Sequence, residues 1–406
     1  MDSPFKENAP ALEASLIGAG CLIAIAAVVW WASSARLETD RVPLESKRVV
    51  GGSRSVEYVG DRACAGCHPG EFTLHGQSGH SRTLHLAGEA DSARWLDGRR
   101  VDDPEMPGVS WSYSLRDGRL SVERAEGGAI EEFLMDYAFG SGSHASTFLS
   151  MTDRDPRRPA GLEHRLTYYT ETKSLDVTPG HELMALAHGT TPRGRSLSSV
   201  KVLRCFQCHT TMTSAEGRGV LDVATMILNV TCERCHGPAK AHVQAARRGE
   251  SELGMILGPD RWTADTMMRS CGECHRHPDA TPPASIRTDN IEIVRHQPVG
   301  LMQSKCYTLS RGSLSCATCH DPHAPASRDR TSYEASCRSC HDTAPQTICP
   351  VEPRTGCLDC HMPRRNSGQG ILFTDHWIRI VGEDPGAAMP GAGTETVGPG
   401  HARAVP

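Results

Sequence analysis

One pentapeptide, Cys-x-x-Cys-His, occurs seven times in this chain and constrains its structure more than any other feature. The pattern is the attachment sequence of c-type haem: two thiols form thioethers with the haem vinyl groups, and the adjacent imidazole binds the iron. We therefore predict seven covalently attached haem c groups, each with its iron. The cysteines and histidines of the seven motifs are Cys64, Cys67 and His68; Cys205, Cys208 and His209; Cys232, Cys235 and His236; Cys271, Cys274 and His275; Cys316, Cys319 and His320; Cys337, Cys340 and His341; and Cys357, Cys360 and His361.

Paired cysteines also occur in zinc ribbons, redox dithiols and disulfide frameworks. None of these requires a histidine directly after the second cysteine. Histidine makes up 20 of the 406 residues, so seven such histidines arise by chance with a probability on the order of one in a billion. The motifs also contain all of the 17 cysteines except Cys21, Cys306 and Cys349. The repeat therefore favours covalent haem.

The protein's own hydrophobic core is predicted to be thin, because hydrophobic residues make up 38% of the chain and aromatic residues only 5%. Seven porphyrins would supply much of the missing apolar bulk. Between residues 205 and 361, six motifs begin 20 to 45 residues apart, which leaves room for one or two helices per haem. We predict a mainly α and irregular fold organised around the haems, with a six-haem segment at 191–382 and a helix after each motif histidine.

The N-terminal region contains a candidate membrane segment. Between Glu13 and Arg36 lie 22 uncharged residues, which as a helix would span about 33 Å. A cleaved signal peptide has a shorter apolar region and a basic start, whereas the only basic residue of this start is Lys6. We predict that residues 1–35 form a membrane anchor; the alternative is a cleaved signal that leaves a soluble periplasmic protein. Either way, we expect the following residues on the periplasmic side of the cytoplasmic membrane, where c-type haem is attached.

Residues 101–190 contain no haem motif. Trp111, Tyr113 and Leu115 alternate with other residues, the Asp-Gly at 117–118 indicates a tight turn, and the alternation then resumes, so a β-hairpin is predicted. We expect a small β-rich insert at 101–190 that packs over the haems. Residues 36–100 are predicted to be a linker and the first haem segment, and the low-complexity residues 383–406 a disordered tail.

The second axial ligand of each iron must come from outside its motif, and 13 of the 20 histidines lie outside the motifs. His320 and His323 are at most about 10 Å apart, too close to bind opposite faces of one haem. Six helical residues separate His236 from His242, a rise of only about 9 Å. If His323 and His242 bind iron, each must therefore bind that of a neighbouring haem.

The β-rich insert supplies two further candidate ligands. His144 follows a glycine-rich stretch that we expect to present its imidazole inward, and His164 leads into a predicted strand at 166–169. Either histidine could instead lie on the surface or in the core.

The residues around several motifs resemble known multihaem cytochromes. The first motif, preceded by Tyr58-Val-Gly-Asp-Arg-Ala and followed by Ser78-Gly-His80, resembles the cytochrome c-554 type. The stretch Cys319-His320-Asp-Pro-His323 resembles the doubled Cys-x-x-Cys-His cytochromes. In such relatives a Ser-x-His and a late Asp-His supply iron ligands, which implies His80 and His376 here. The predicted second ligands are His80, His144, His164, His242, His323 and His376, with one haem unassigned and with His181, His188, His277 and His296 undecided.

Two functions fit this set of motifs. The first is an extracytoplasmic heptahaem cytochrome that carries electrons along closely spaced, mostly bis-histidine haems. Its expected partners are a membrane quinol-oxidising or cytochrome donor and a redox acceptor. The alternative is a multihaem oxidoreductase with one open-site haem that acts on a small nitrogen or sulfur compound. We predict no particular catalytic residue, and a net charge of −5 with both signs interspersed does not indicate a nucleic-acid partner.

Overall fold

The computed structural model describes residues 58–183, 190–250, 262–342, 349, 355–366 and 371–380. The predicted anchor at 1–35, the linker up to residue 57 and the tail at 383–406 lie outside these residues. No helix within the described ranges is long and apolar enough to cross a membrane.

Antiparallel sheets dominate the first half of the described chain. One sheet has four strands in the order β2-β3-β4-β5. The other has eight strands; six follow the order β1-β6-β7-β8-β12-β11, while β9 pairs with both β7 and β10. Two further two-strand sheets join β13 to β14 and β15 to β16. The strands are β1 Leu84–Leu86, β2 Arg100–Asp102, β3 Val109–Arg116, β4 Arg119–Glu126, β5 Ala129–Met135, β6 Tyr137–Phe139, β7 Ala145–Asp153, β8 Ala160–His164, β9 Leu166–Tyr169, β10 Ser174–Val177, β11 Thr190–Thr191, β12 Gly194–Leu197, β13 Thr210–Met212, β14 Ile227–Leu228, β15 Arg364–Asn366 and β16 Leu372–Thr374.

The hairpin predicted from the alternation at Trp111 is confirmed as β3 and β4. Its strands pair in register from Val109 opposite Glu126 to Arg116 opposite Arg119. The two loop residues, Asp117 and Gly118, have φ angles of 51° and 71°. Two positive φ angles match the twist of the flanking strands, which is why Asp-Gly suits this position.

The prediction of a mainly α fold with a small β insert is wrong, because the structure has a β-rich core. The strands extend beyond 101–190 in both directions, from Leu84 to Leu197. The larger hydrophobic cluster lies wholly between residues 87 and 177 and includes Trp111 and Phe148, both fully buried. The chain's few aromatic residues are concentrated here, so the average composition hid a conventional protein core.

The helices are short, and most lie in the haem-motif segments. They are α1 Pro69–Gln77, α2 Asp91–Leu96, α3 Ser199–His209, α4 Cys232–His236, α5 Lys240–Arg247, α6 Ala264–His275, α7 Gln297–Gln303, α8 Lys305–Leu309, α9 Arg330–His341 and α10 Cys357–His361. The expectation of a helix after every motif histidine is wrong: α3, α4, α6, α9 and α10 instead end on one. Among the described residues, only α1 begins directly after its motif, at Pro69.

Helix α3 attaches the second haem motif to the eight-stranded sheet. Its buried residues Val202 and Phe206 pack with Leu84, Tyr137 and other sheet residues in a second hydrophobic cluster. The rings of Phe206 and Tyr137 meet edge to face at 4.9 Å. The β core therefore fixes where the Cys205–Cys208 thiols and His209 lie.

Candidate functional site

Each motif forms a turn of helix, and this explains its spacing. Five motifs lie at the ends of helices. The other two close an equivalent turn, in which the amide of His68 donates to the carbonyl of Cys64 at 2.9 Å and that of His320 to Cys316 at 3.0 Å. Residues three and four positions apart share one helical face, so both thiols and the imidazole project toward the same side.

Within the described part of the chain, four motif histidines face a histidine from another segment. The ring centroids are 6.5 Å apart for His68 and His242, 6.1 Å for His236 and His323, 6.2 Å for His275 and His80, and 6.3 Å for His320 and His376. Two metal–nitrogen bonds of about 2 Å, plus about 1 Å from each nitrogen to its ring centroid, require a separation of about 6 Å. The four pairs therefore fit an iron atom held between two imidazoles.

The pairs join separate segments of the chain. His323 is three residues from His320 but faces His236, and His242 faces His68 rather than the nearby His236. Neither arrangement pairs the two histidines that are too close along the chain to bind opposite faces of one haem. His80, from the first haem segment, faces His275 of the fourth motif.

Carbonyl groups and burial favour metal binding through Nε2 in several histidines, both inside and outside these pairs. The Nδ1 atom of His376 lies 2.9 Å from the carbonyl of Thr374, and that of His361 lies 3.1 Å from the carbonyl of Arg379. A proton on Nδ1 leaves Nε2 as the basic nitrogen. Burial lowers the pKa of His376 to about 4 and also lowers the pKa of His275 and His320, which favours the neutral, metal-binding form.

His164 and His144 have different surroundings from the other predicted ligands. His164 is completely buried in the β core, where its Nε2 lies 2.8 Å from the hydroxyl of Tyr113 and the ring of Trp111 packs edge-on at 4.9 Å. His144 is exposed. Because Tyr113 already occupies the Nε2 atom of His164, we leave both histidines out of the ligand set proposed below.

The buried His164 is expected to make folding sensitive to acid. Burial lowers the pKa of His164 to about 3, against an ordinary value of 6.5, so the unfolded chain takes up this proton first as the pH falls. The free energy of unfolding should therefore fall by about 1.4 kcal/mol for each pH unit between pH 6.5 and 3 on this account alone. Denaturant unfolding followed by far-ultraviolet circular dichroism at several pH values measures this slope. The slope should decrease by about 1.4 kcal/mol per pH unit, the effect of one proton, in His164→Gln and remain unchanged in His85→Gln. Equal slopes in both variants would show that His164 is not the source of the acid sensitivity.

His209 differs from the paired motif histidines. Its Nδ1 lies 2.9 Å from the carbonyl of Thr83, and its ring meets Phe139 edge to face at 5.1 Å. Beside it lies a cavity of about 280 Å³, lined by Cys205, His209, Phe139, Thr147, Leu149, Glu163 and other residues.

Thiols of different motifs lie next to one another. Cys64 lies beside Cys232, and Cys271 lies beside Cys316. The thiol of Cys274 lies 3.8 Å from the carbonyl of Cys208. The fourth motif therefore contacts both the second and the fifth motifs, and the first motif contacts the third.

Charged residues within the motifs reinforce this packing. Glu273 of the fourth motif pairs with Arg234 of the third at 2.9 Å and with Arg218 at 3.1 Å. Burial opposes ionisation of Glu273, but the two guanidinium groups outweigh it and hold the pKa of this carboxyl below its usual range. Together these residues fasten the fourth motif to the third.

Sequence reasoning missed several residues that support the motifs. The Glu233 carboxylate is buried and accepts hydrogen bonds from the amides of Val59, Gly60 and Ala239. The side chain of Gln297 lies beside His275. The sequence carries no recognisable signal for either contact, since Glu233 is an unspecified position of its motif and Gln297 lies 22 residues beyond His275.

Two of the undecided histidines, His181 and His277, make polar contacts in the structure. His181 is fully buried, with Nε2 3.0 Å from a carboxylate oxygen of Glu163. The Nδ1 atom of His277 accepts a hydrogen bond from the amide of Asp279 at 3.3 Å. His296 is half-buried, and burial lowers its pKa. His188 lies outside the described residues.

The sequence model of one protein family, described as cytochrome c554 and c-prime, matches residues 181–237. This stretch contains the second and third motifs. The chain resembles the multihaem c-type cytochromes. The match implies covalently bound haem c and supports an electron-transfer cytochrome.

Comparisons beyond this family give little further guidance. No curated protein matches the chain. Among solved structures, one match is the outer cell wall cytochrome OcwA, with 14% sequence identity, a TM-score of 0.44 and 80% of each chain covered. This similarity is too low to transfer a function or a ligand assignment.

Proposed function

We propose that this chain is an extracytoplasmic seven-haem c-type cytochrome that carries electrons along closely spaced haems. Haem iron supplies one-electron chemistry by alternating between its ferric and ferrous forms. The observation that carries the proposal is the set of four imidazole pairs with centroid separations of 6.1 to 6.5 Å. Two histidine ligands leave an iron no free position for substrate, so these pairs suit an electron carrier rather than a catalyst.

The contacts between motifs support rapid transfer from haem to haem. Each motif thiol is the point at which a haem edge is tethered, so neighbouring thiols bring haem edges together. The third motif contributes Arg234 to Glu273 of the fourth, and the fourth contributes Cys271 to Cys316 of the fifth. The proposed order of electron flow therefore follows these contacts and need not follow the order of the motifs along the chain.

The proposed ligand set assigns four of the seven haems. His242 serves the haem of His68, His323 that of His236, His80 that of His275 and His376 that of His320. His75 and His85 stay outside the set, and the Nε2 of His85 lies 2.9 Å from the carbonyl of Arg82.

The proposed cellular setting rests on the sequence. Covalent haem attachment and the apolar stretch before residue 36 favour the periplasmic side of the cytoplasmic membrane, with residues 1–35 as an anchor. A membrane quinol-oxidising protein or a cytochrome is the proposed donor, and an extracytoplasmic redox protein the proposed acceptor.

Haem counting and redox titration test the proposal on the purified holoprotein. The intact mass should exceed that of the polypeptide by seven haems, and optical titration should require seven electrons per chain. Cys232→Ala with Cys235→Ala should lower both counts by one, whereas a Cys306→Ala control should change neither. A holoprotein with fewer haems, or one whose haems do not exchange electrons with a common mediator, would contradict the proposed function.

A further inference from the structure

The fourth motif, at the end of helix α6, contacts three other motifs. Toward the second motif, the Cys274 thiol lies 3.8 Å from the carbonyl of Cys208, and the Cys208 thiol lies 3.9 Å from the carbonyl of Glu273. Toward the third motif, the carboxylate of Glu273 pairs with Arg234 at 2.9 Å. Two adjacent residues of one helical turn therefore contact two different motifs.

The contact with the fifth motif lies earlier in the same helix. The Cys316 thiol lies 3.4 Å from the sulfur of Met268, and Cys271 lies beside Cys316. Met268 is fully buried and lies three residues before Cys271, so the two side chains share one helical face. The two haem-attachment residues of the fourth motif therefore have different neighbours: Cys271 contacts the fifth motif and Cys274 the second.

The remaining motifs continue from two of these neighbours. The first motif joins the third through the buried carboxylate of Glu233, which accepts from two amides that precede the first motif. The sixth joins the fifth through the hydroxyl of Ser336, which donates to the carbonyl of Thr318 at 3.2 Å. The seventh joins the sixth through an ion pair of Asp359 with Arg330 at 2.6 Å. These contacts form a path with a branch point at the fourth motif.

The second and third motifs also approach each other, through residues that flank them. The hydroxyls of Thr211 and Thr231 are 2.9 Å apart. Thr211 lies two residues after His209, and Thr231 directly precedes Cys232. Neither threonine tethers a haem, whereas the contact of the second motif with the fourth involves a thiol of each. The thiol contacts therefore favour the fourth motif as the neighbour of the second.

We propose that the electron path divides at the fourth haem, so that the first, second and seventh haems are its three ends. The inference rests on the proposed function, since it requires that all seven motifs carry haem. Electron transfer weakens exponentially with the distance between haem edges, and each motif thiol fixes one edge. Each step oxidises one ferrous haem and reduces the ferric haem beside it, so no further reactant is needed. Three ends let the protein take electrons from two donors and pass them to one acceptor, or the reverse.

Electron paramagnetic resonance of the oxidised holoprotein counts the neighbours of a haem. Neighbouring ferric irons couple magnetically, so removal of one haem changes the signals of those beside it. Cys271→Ala with Cys274→Ala removes the fourth haem and should change the signals of three others. As a matched control, removal of the seventh haem by replacing its two motif cysteines should change the signal of one. Changes in fewer than three haems on loss of the fourth would overturn the proposal.

Flash-induced electron injection follows the two arms of the branch separately. A ruthenium photosensitiser is attached to Val200→Cys in α3, before the second motif, or to Glu71→Cys in α1, after the first; both positions are exposed. The three cysteines outside the motifs are replaced by serine in both proteins. Added His376→Ala makes the fifth haem high-spin and raises its potential, because His376 faces His320, so its distinct spectrum reports the arrival of the electron.

Removal of the third haem distinguishes the two arms. In Cys232→Ala with Cys235→Ala, electrons injected at α1 should no longer reach the fifth haem, whereas electrons injected at α3 should arrive as fast as with all seven haems. Far-ultraviolet circular dichroism should show an unchanged β core. If injection at α3 also fails in this folded variant, electrons leave the second haem through the third and the proposal is overturned.

Removal of the fourth haem should stop arrival from both labels, and continued arrival from either one would overturn the branch point. The protein that keeps all seven haems reports on the proposed function. If neither label reduces its fifth haem, the proposed electron carrier fails; if both labels reduce it but both require the third haem, the carrier stands and only the branch is wrong.

Discussion

In a His323→Ala variant, the haem held by His236 is expected to become high-spin, while the haem held by His320 keeps both ligands. The His236 and His323 rings lie 6.1 Å apart with an interplanar angle of 7°, whereas the ring facing His320 is that of His376. Electron paramagnetic resonance should therefore show a gain of one high-spin haem out of seven. The reduction potential of this haem should rise, because loss of an imidazole removes stabilisation of the ferric iron.

A second genetic background identifies which haem has changed. With Cys232 and Cys235 replaced by alanine the third haem is absent, so adding His323→Ala should produce no further high-spin signal. His85→Ala serves as the matched control, because its imidazole already contacts the carbonyl of Arg82. A new high-spin signal in the background that lacks the third haem would show that His323 serves another iron.

Glu233→Ala is expected to destabilise the holoprotein by about 3 to 5 kcal/mol. The carboxylate accepts from the amides of Val59, Gly60 and Ala239 at 2.8 to 3.2 Å and is only 2% exposed. Its removal leaves these donors without their acceptor and separates the first haem segment from the third motif. Denaturant unfolding monitored by the haem absorption band measures the loss.

Two further glutamate variants separate this role from a general effect of charge. Glu233→Gln keeps one acceptor oxygen, so its free energy of unfolding should lie between that of the wild type and that of the alanine variant. Glu250→Gln removes an exposed carboxylate paired with Arg248 and should leave the stability essentially unchanged. A loss below about 1 kcal/mol for Glu233→Ala would show that the three hydrogen bonds are not required.

The sequence predicted the haem motifs and excluded some pairings because both depend on local geometry. A separation of three residues excludes His320 and His323 from one haem whatever the rest of the fold does, and the structure indeed places His323 opposite His236. For His80 and His376 the prediction came from resemblance to known cytochromes. Each of these histidines faces a motif histidine, which no local pattern could have specified.

The β core was underestimated because its pairings are non-local. Strand β12 joins β8 across 30 residues, and β1 joins β6 across more than 50. Short strands such as β1 and β6 carry too few residues for alternation to be recognised. The aromatic fraction of the whole chain is also low because it averages two kinds of region. One is the aromatic-rich β core, and the other is the haem-motif segments, whose proposed apolar partners are porphyrins.

His164 shows why individual ligands are hard to assign from sequence. A histidine beside a strand can point toward a haem or toward the core with no change in the surrounding pattern. Here Tyr113, 51 residues away, supplies the hydrogen bond that satisfies its Nε2. Only long-range packing distinguishes this histidine from His80.

Near-infrared magnetic circular dichroism of the oxidised holoprotein tests the central claim most directly, because its charge-transfer bands identify the axial ligands of low-spin ferric haem. We predict bands of bis-histidine haem with an intensity equivalent to at least four haems, from the pairs of His68, His236, His275 and His320. Bands of histidine–methionine ligation at these haems, or an intensity equivalent to fewer than four bis-histidine haems, would contradict the account.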